Sequence, residues 1–464
     1  MVLRQIMPKQ ADICENRALS WKSIVTRSGP RLKREFEIDI DNLSHEGRGV
    51  GRLDGKTVFV AGALVGERVR VQQTARNRHF DEAKTLEVLA ASPDRVEPSC
   101  PHFGVCSGCV LQHLASHRQI EAKQRTLTDN LLRIGHVAPE TLLPALSVDA
   151  WGYRRKGRFS VRYVEKKGGV LVGFRETDPR FVAQLHECHT VVPAVSALIL
   201  PLTELIGGMQ AKREIAQVEF IKGDGPVALV FRNLVTLCAE DMSRLAAFGD
   251  ARHAQIFLQP GGVQSVFPIR EDYPALGFDL AKYGIRFEFK PLDFIQVNAS
   301  LNAAMIDRAI ALLQPSSEDV VLDLFCGLGN FTLPLAKSAG EVIGVEGDHG
   351  LVARAQENAR KNGIVNAQFF AADLTQDISS QLWKTQRFTK LLLDPPRTGA
   401  IEVLQQMNLD GIHRIVYVSC HPASLARDAA YLVQERGYRL VQVGAMDMFP
   451  QTAHVEAIAV FEAV

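Results

Sequence analysis

From position 320 the chain runs Val320-Val321-Leu322-Asp323-Leu324-Phe325 directly into Cys326-Gly327-Leu328-Gly329-Asn330-Phe331, and no other stretch restricts the fold so strongly. An apolar run without polar alternation is a strand buried on both faces, which belongs to a parallel sheet covered by helices. The glycines let the backbone approach a ligand that a β-carbon would exclude. Glu341 to Val345 reads as a second strand, and Leu351, Ala355 and Ala359 suit a helix closed near Gly363. Phe369-Phe370, Leu391-Leu392-Leu393 and Ile415 to Val418 supply further strands, while Leu301, Met305, Ile306, Ile310 and Leu313 form a helical stripe before Pro315. This alternation predicts a Rossmann-like, doubly wound parallel sheet over residues 291–464, with ligands at the C-terminal ends of its strands.

A dinucleotide fingerprint would want a third glycine where Thr332 stands. Glu346 ends the second strand, where a carboxylate can accept both ribose hydroxyls, and Asp373 follows the third, near the place of an adenine amino group. A glycine loop followed by two strand-end acids describes S-adenosylmethionine (SAM) better than NAD. The fourth strand ends in Asp394-Pro395-Pro396-Arg397, where the prolines fix an extended backbone and turn carbonyls into the crevice. The fifth delivers Cys420, and Glu456 lies in the late apolar run His454-Val455-Glu456-Ala457-Ile458. An acid there needs a reason. A thiol and a carboxylate beside SAM suit methylation of pyrimidine C5. Uracil C5 is too weak a nucleophile until a thiolate adds to C6, and a base must then remove the C5 proton. Cys420 is the candidate nucleophile and Glu456 the candidate base.

Four more cysteines, Cys100, Cys106, Cys109 and Cys188, follow the spacing C-x5-C-x2-C with a distant fourth. Metal binding explains them better than disulfides in a chain with no readable secretory signal, and the spacing admits zinc or iron–sulfur. Nearby His102, His113, His186 and His189 read as surface or packing residues. Upstream, Phe36, Ile38 and Ile40, then Val58 and Val60, then Val69 and Val71 alternate with polar residues, as in a small OB-like β-barrel. Arg48, Arg52, Arg68, Arg70, Arg76 and Arg78 decorate it. Net charge is +1 overall, but 13 Lys/Arg against 19 Asp/Glu fall in 291–464, so the basic excess lies in front and favours a polyanion there. The basic words Arg154-Arg155-Lys156-Gly157-Arg158 and Lys166-Lys167 read either as a grip on phosphates or as a solvated hairpin. The expected division is an extension over 1–34, the barrel over 35–91, a strand-rich central domain with the cysteine site over 92–290, and the C-terminal domain over 291–464. The longest nearly uncharged stretch, Thr190 to Thr203, is too short for a membrane span, so a cytoplasmic chain is expected.

Taken together, the four cysteines, Phe294-Ile295-Gln296-Val297-Asn298, Asp323 to Phe331, Leu393 to Arg397, Ser419-Cys420, and Met448-Phe449-Pro450 with His454-Val455-Glu456 resemble the bacterial RNA uracil-C5 methyltransferases. The resemblance runs from about Glu35 to the C-terminus. It is nearest to the type that methylates uracil 1939 of 23S rRNA. It implies that the barrel is an RNA-binding TRAM domain and that the four cysteines carry a [4Fe–4S] cluster. It implies SAM contacts at Gln296, Phe325, Asn330, Glu346, Asp373 and Asp394, with Cys420 and Glu456 as nucleophile and base. It implies 23S rRNA as partner, with no obligatory protein partner. His421 departs from the pattern, which usually has Asn after the nucleophile. Other readings are uracil-C5 methylation of a different rRNA or tRNA site and, in another class, a non-catalytic RNA-binding iron–sulfur protein, which would need neither Cys420 nor Glu456. An N-methyltransferase needs no thiol, and a radical-SAM enzyme wants C-x3-C-x2-C.

Overall fold

The computed structural model describes residues 34–464. The extension expected over 1–34 therefore lies, apart from its last residue, outside the described residues. The barrel strands are Glu35–Asp39, Asn42–Leu43, Gly49–Leu53, Lys56–Ala61, Arg68–Arg76 and Phe80–Ala90. They form one six-stranded sheet in which the first pairs with the fifth, the fifth with the sixth, the sixth with the fourth, and the fourth with the third. Alternation puts Ile38, Val58, Val60, Val69 and Val71 inside, where each buried aliphatic side chain contributes roughly 1.5–3 kcal/mol. Several of the arginines that decorate the barrel are already paired: Arg68 with Glu37, Arg70 with Glu87, and Arg48 with Glu46 and Glu82. Arg52, Arg76 and Arg78 make no ion pair among the described residues.

The central sheet is built from Lys156–Val164, Gly169–Gly173, Ile215–Lys222, Val227–Asn233, Ala254–Leu258 and Phe267–Pro268. It also carries helices that strand patterning misses. Ala239–Arg252 joins Val227–Asn233 to Ala254–Leu258, which pair in parallel. Ile199–Gly208 buries Ile199, Leu202 and Ile206 at helical spacing, with Pro201 in the first turn, where its missing N–H costs nothing. The expectation that the basic words grip phosphates needs correction at Arg155 and Lys156. Arg155 is buried, Lys156 donates to the Asp293 carbonyl and pairs with Glu219, and Arg158 pairs with the same Glu219.

The C-terminal sheet has eight strands, in spatial order Ala367–Ala371, Glu341–Glu346, Val320–Leu324, Lys390–Leu393, Arg414–Ser419, Glu456–Ala463, Tyr438–Met446 and Thr141–Leu142. The first five are parallel to one another, as expected. Glu456–Ala463 is not: it inserts antiparallel between Arg414–Ser419 and Tyr438–Met446, so the sheet is mixed. The chain order reverses between Val320–Leu324 and Lys390–Leu393, which opens the ligand crevice there. Helix Ala299–Leu313 buries Leu301, Met305, Ile306 and Leu313, and Asn298 caps it by accepting from the Leu301 N–H at 3.1 Å. After the glycine loop only one helical turn forms, Thr332–Leu335, because Pro334 is tolerated only in a first turn and the next strand begins at Glu341.

Helix Ser116–Asn130 and strand Thr141–Leu142 pack on this sheet, and Leu127 and Leu131 sit fully buried in its core. A π-type turn over Leu131–Gly135 swings Ile134 out of the helical stripe to the surface. Two further links close the assembly. The Val110 and Leu111 N–H groups donate to the Gln451 carbonyl, and Lys123 forms a buried pair with Asp447 at 2.5 Å. Among the described residues no helix is long and apolar enough to cross a membrane.

Candidate active site

At the crevice, Phe325, Gly327 and Gly329 all have φ in the left-handed region, at 65°, 56° and 85°. The loop thereby presents its N–H groups to the strand ends. Glu346 accepts from the Gly327 N–H at 3.1 Å and the Asp348 N–H at 3.0 Å, which binds the second strand end to the loop. Asn330 and Asn302 exchange amide bonds at 2.9 and 3.0 Å, joining the loop to helix Ala299–Leu313. Gln296 lies half-buried just before that helix, its carbonyl accepting from Arg155 Nε at 2.8 Å. Asp373 is exposed and accepts from the Thr375 hydroxyl and N–H, which hold its carboxyl below the usual range.

Three carboxyls crowd the centre. Asp323 is fully buried, accepts from the Thr332 hydroxyl at 2.5 Å, and has one oxygen without a partner. Burial, with Asp394 and Glu346 beside it, pushes its pKa up to about 8. Burial pushes Asp394 up to about 7. An unpartnered carboxyl oxygen among acids fits a cofactor that carries a sulfonium and an ammonium group. Sequence reasoning assigned Asp323 no role, although an Asp within an apolar strand was the available signal.

Register delivers the second half of the site. Ser419 stands opposite Ala457, so the next residue, Cys420, emerges beside Glu456, the first residue of its strand. Burial, Glu456 and Asp394 push the Cys420 thiol up to about 11, while Arg397 pulls the other way. Burial and Asp394 hold Glu456 well above the carboxylate range. At neutral pH Cys420 thus rests as a thiol, and its neighbour Glu456 is disposed to hold its proton. Asp394 faces both Asp323 and this pair.

His421 begins helix Pro422–Glu435, its Nδ1 accepting from the Ser424 N–H at 3.3 Å. Asn is among the best residues for that capping bond, so the substitution keeps the function that position serves in the backbone. Opposite, Arg397 Nη2 donates to His454 Nδ1 at 3.2 Å, a contact between residues 57 apart in sequence that nothing in the sequence signals. A cleft of about 680 Å³ opens over this group, lined by His45, Gly108, Arg397, Cys420, His421 and His454. His45 comes from a turn of the barrel that is docked tightly. Gly47 has φ +77°, and a Cβ there would lie 3.0 Å from Leu111 Cδ2.

Cys100, Cys106, Cys109 and Cys188 line an adjoining cavity of about 260 Å³, which shares Gly108 and His454 with the cleft and has His102, Gln112 and His189 also on its wall. Burial, with repulsion from the neighbouring cysteines, raises Cys100, and raises Cys106 to about 11 and Cys109 to about 12. Among the described residues no three His, Cys, Asp or Glu side chains stand together as ligands of a metal ion, so the expected metal site is a gathering of thiols rather than a formed ligand shell. His113 is buried with both ring nitrogens unpartnered.

Comparison with known proteins agrees with this layout. Residues 153–463 match the family model of tRNA (uracil-5-)-methyltransferases, and residues 32–86 match the TRAM domain. A Xanthomonas campestris protein named 23S rRNA (uracil(1939)-C(5))-methyltransferase RlmD is 62% identical over 94% of this chain and 100% of its own length. A Stenotrophomonas maltophilia protein of the same name is 60% identical over the same shares. The crystal structure of Pyrococcus abyssi tRNA (uracil-54, C5)-methyltransferase with S-adenosyl-L-homocysteine shares the fold, with TM-score 0.70 at 23% identity, over 92% of this chain and 100% of that one. With a TRAM barrel in front and this catalytic domain behind it, the chain belongs to the uracil-C5 RNA methyltransferase family.

Proposed function

We propose that this chain transfers the methyl group of SAM to C5 of a uracil in 23S rRNA, at the position its 60–62% identical relatives are named for. The observation that carries the reading is the register that sets Cys420 against Glu456 beside Asp394, at the end of the sheet where the glycine loop opens. SAM supplies a methyl group on a positively charged sulfur. Cys420, as the thiolate, adds to C6 of a uracil extruded into the cleft, and the resulting enolate attacks that methyl group through C5, with S-adenosylhomocysteine leaving. The Glu456 carboxylate takes the C5 proton as the C6–S bond breaks, which releases the 5-methyluracil and returns Cys420 as the thiolate. Asp394 faces both reacting groups and limits their charge before substrate arrives. The TRAM barrel lends its cleft-facing turn to the RNA side, and an rRNA substrate accords with a cytoplasmic enzyme.

The four-cysteine cavity fits a [4Fe–4S] cluster better than a single ion. Its donors are all thiols, and a cubane spreads its four cysteine sulfurs further apart than one metal ion does. Its loop also contributes Gly108 to the cleft wall, so a filled cavity stiffens the RNA-binding surface. The test is in vitro methylation of unmodified 23S rRNA with the methyl group mapped by mass spectrometry, together with iron and sulfide analysis of anaerobically purified protein. A methyl at uracil 1939 and about four irons per chain support the reading. A methyl elsewhere overturns the target, and iron-free but active protein overturns the cluster.

A further inference from the structure

Cys420 must lose its proton to act, yet two of the groups facing it, Glu456 and Asp394, oppose a thiolate. Arg397 is the cation that faces it and favours the thiolate. Its guanidinium makes no ion pair among the described residues, although Asp394 stands only three positions away in the same loop. The Arg397 backbone is held by the Ser424 hydroxyl, which donates to its carbonyl at 2.9 Å. The side chain is held by His454 Nδ1 at 3.2 Å.

Arg has only donors, so Nδ1 must be the bare nitrogen and the imidazole the neutral Nε2–H tautomer. The surroundings enforce that state: besides burial, Arg397, Lys123 and Arg154 all face His454, and each disfavours a second charge there. Phe449 meets the ring edge-on at 5.6 Å and fixes its plane. On the other side His421 is kept neutral by burial and by Arg397, His45 and Arg427. A carboxylate in place of His454 would grip Arg397 as firmly but cancel its charge.

We propose that His454 is a positioning residue that holds Arg397 beside Cys420 without neutralising it, so that the free guanidinium charge favours the thiolate. The inference rests on Cys420 as nucleophile, but the device is a property of the free protein and is measurable without RNA. In the full-length, cofactor-free protein, the rate of iodoacetamide modification of the Cys420 peptide is followed by mass spectrometry between about pH 7 and 9. Below its pKa the thiolate fraction falls tenfold for each unit the pKa rises. His454→Ala and Arg397→Gln are each expected to slow Cys420 modification about tenfold near pH 8, for a one-unit rise, and the double variant to slow it no further. His454→Asn, whose side-chain oxygen accepts in place of Nδ1, is expected to stay within about twofold of wild type, as follows from a pKa preserved to a few tenths of a unit. Cys326, buried in the glycine loop, stays unreactive while the domain is folded. Wild-type rates in Arg397→Gln or in His454→Ala overturn the proposal, as does a His454→Asn protein as slow as His454→Ala. If the rates shift as expected while RNA methylation survives loss of Cys420, the device stands and the catalytic reading fails.

Discussion

If Asp394 and Asp323 meet the positive charge of SAM as proposed, cofactor binding is expected to release protons, because both acids hold protons beforehand. Asp394 sits at about 7 and Asp323 at about 8, each from an ordinary value of 3.8. At pH 6 the Asp394 carboxyl holds its proton roughly ten times as often as not, and each unit below the pKa costs a ligand that needs the carboxylate about 1.4 kcal/mol. From Asp394 alone, SAM affinity should therefore rise about tenfold between pH 6 and 8, and from Asp323 about fiftyfold more if it too ionises in the complex. Isothermal titration in buffers of different ionisation enthalpy counts the protons directly. S-adenosylhomocysteine lacks the sulfonium charge and should show a shallower dependence, and Asp394→Asn should remove the tenfold component. In the folded chain these acids keep protons to higher pH than they do unfolded, so stability without cofactor falls as pH rises from about 4 to 8, and SAM restores it most at the upper end. A SAM affinity flat from pH 6 to 8, or an identical slope for both ligands, would refute the reasoning.

Glu456→Gln leaves the first addition possible but removes the base, so turnover should fall by about 10²–10⁴-fold while a covalent RNA–protein adduct accumulates on denaturing gels; rapid release without adduct argues for another base. Lys123→Met strands the Asp447 carboxylate in a buried setting and should cost about 3–5 kcal/mol, seen as a lower melting temperature that pairing with Asp447→Leu largely restores. Gly47→Val puts a branched side chain at φ +77° and into Leu111 and Val110, so hydrogen exchange at those two amides should rise while strand Val320–Leu324 stays protected. Unchanged exchange would mean that the barrel turn is not docked as described.

Much of the catalytic domain was legible because its parallel strands are unbroken apolar runs, whose burial on both faces leaves no competing period. The two groups used by the proposed chemistry stood out in the sequence, Cys420 at the end of such a run and Glu456 as an acid inside one. The same rule, applied to Asp323, would have flagged the third central acid. Direction was harder to read: a buried strand looks the same parallel or antiparallel, so the reversal at Glu456–Ala463 was hidden. Charge was misread at Arg155 and Lys156, because a lysine that bonds to Glu219 inside counts the same in sequence as one in solvent. Contacts set by tertiary approach left no trace. The Arg397–His454 bond and the barrel turn over Cys420 depend on loops that only packing brings together.

The claim on which the rest depends is that uracil C5 reacts through a bond to Cys420. Release of tritium from 23S rRNA labelled at uracil C5 reports the loss of that proton directly. Wild-type protein with SAM should release one tritium per methyl transferred, and Cys420→Ala should release none above background while still binding SAM. Equal release by Cys420→Ala, or methyl transfer by the wild type without tritium loss, would contradict the account.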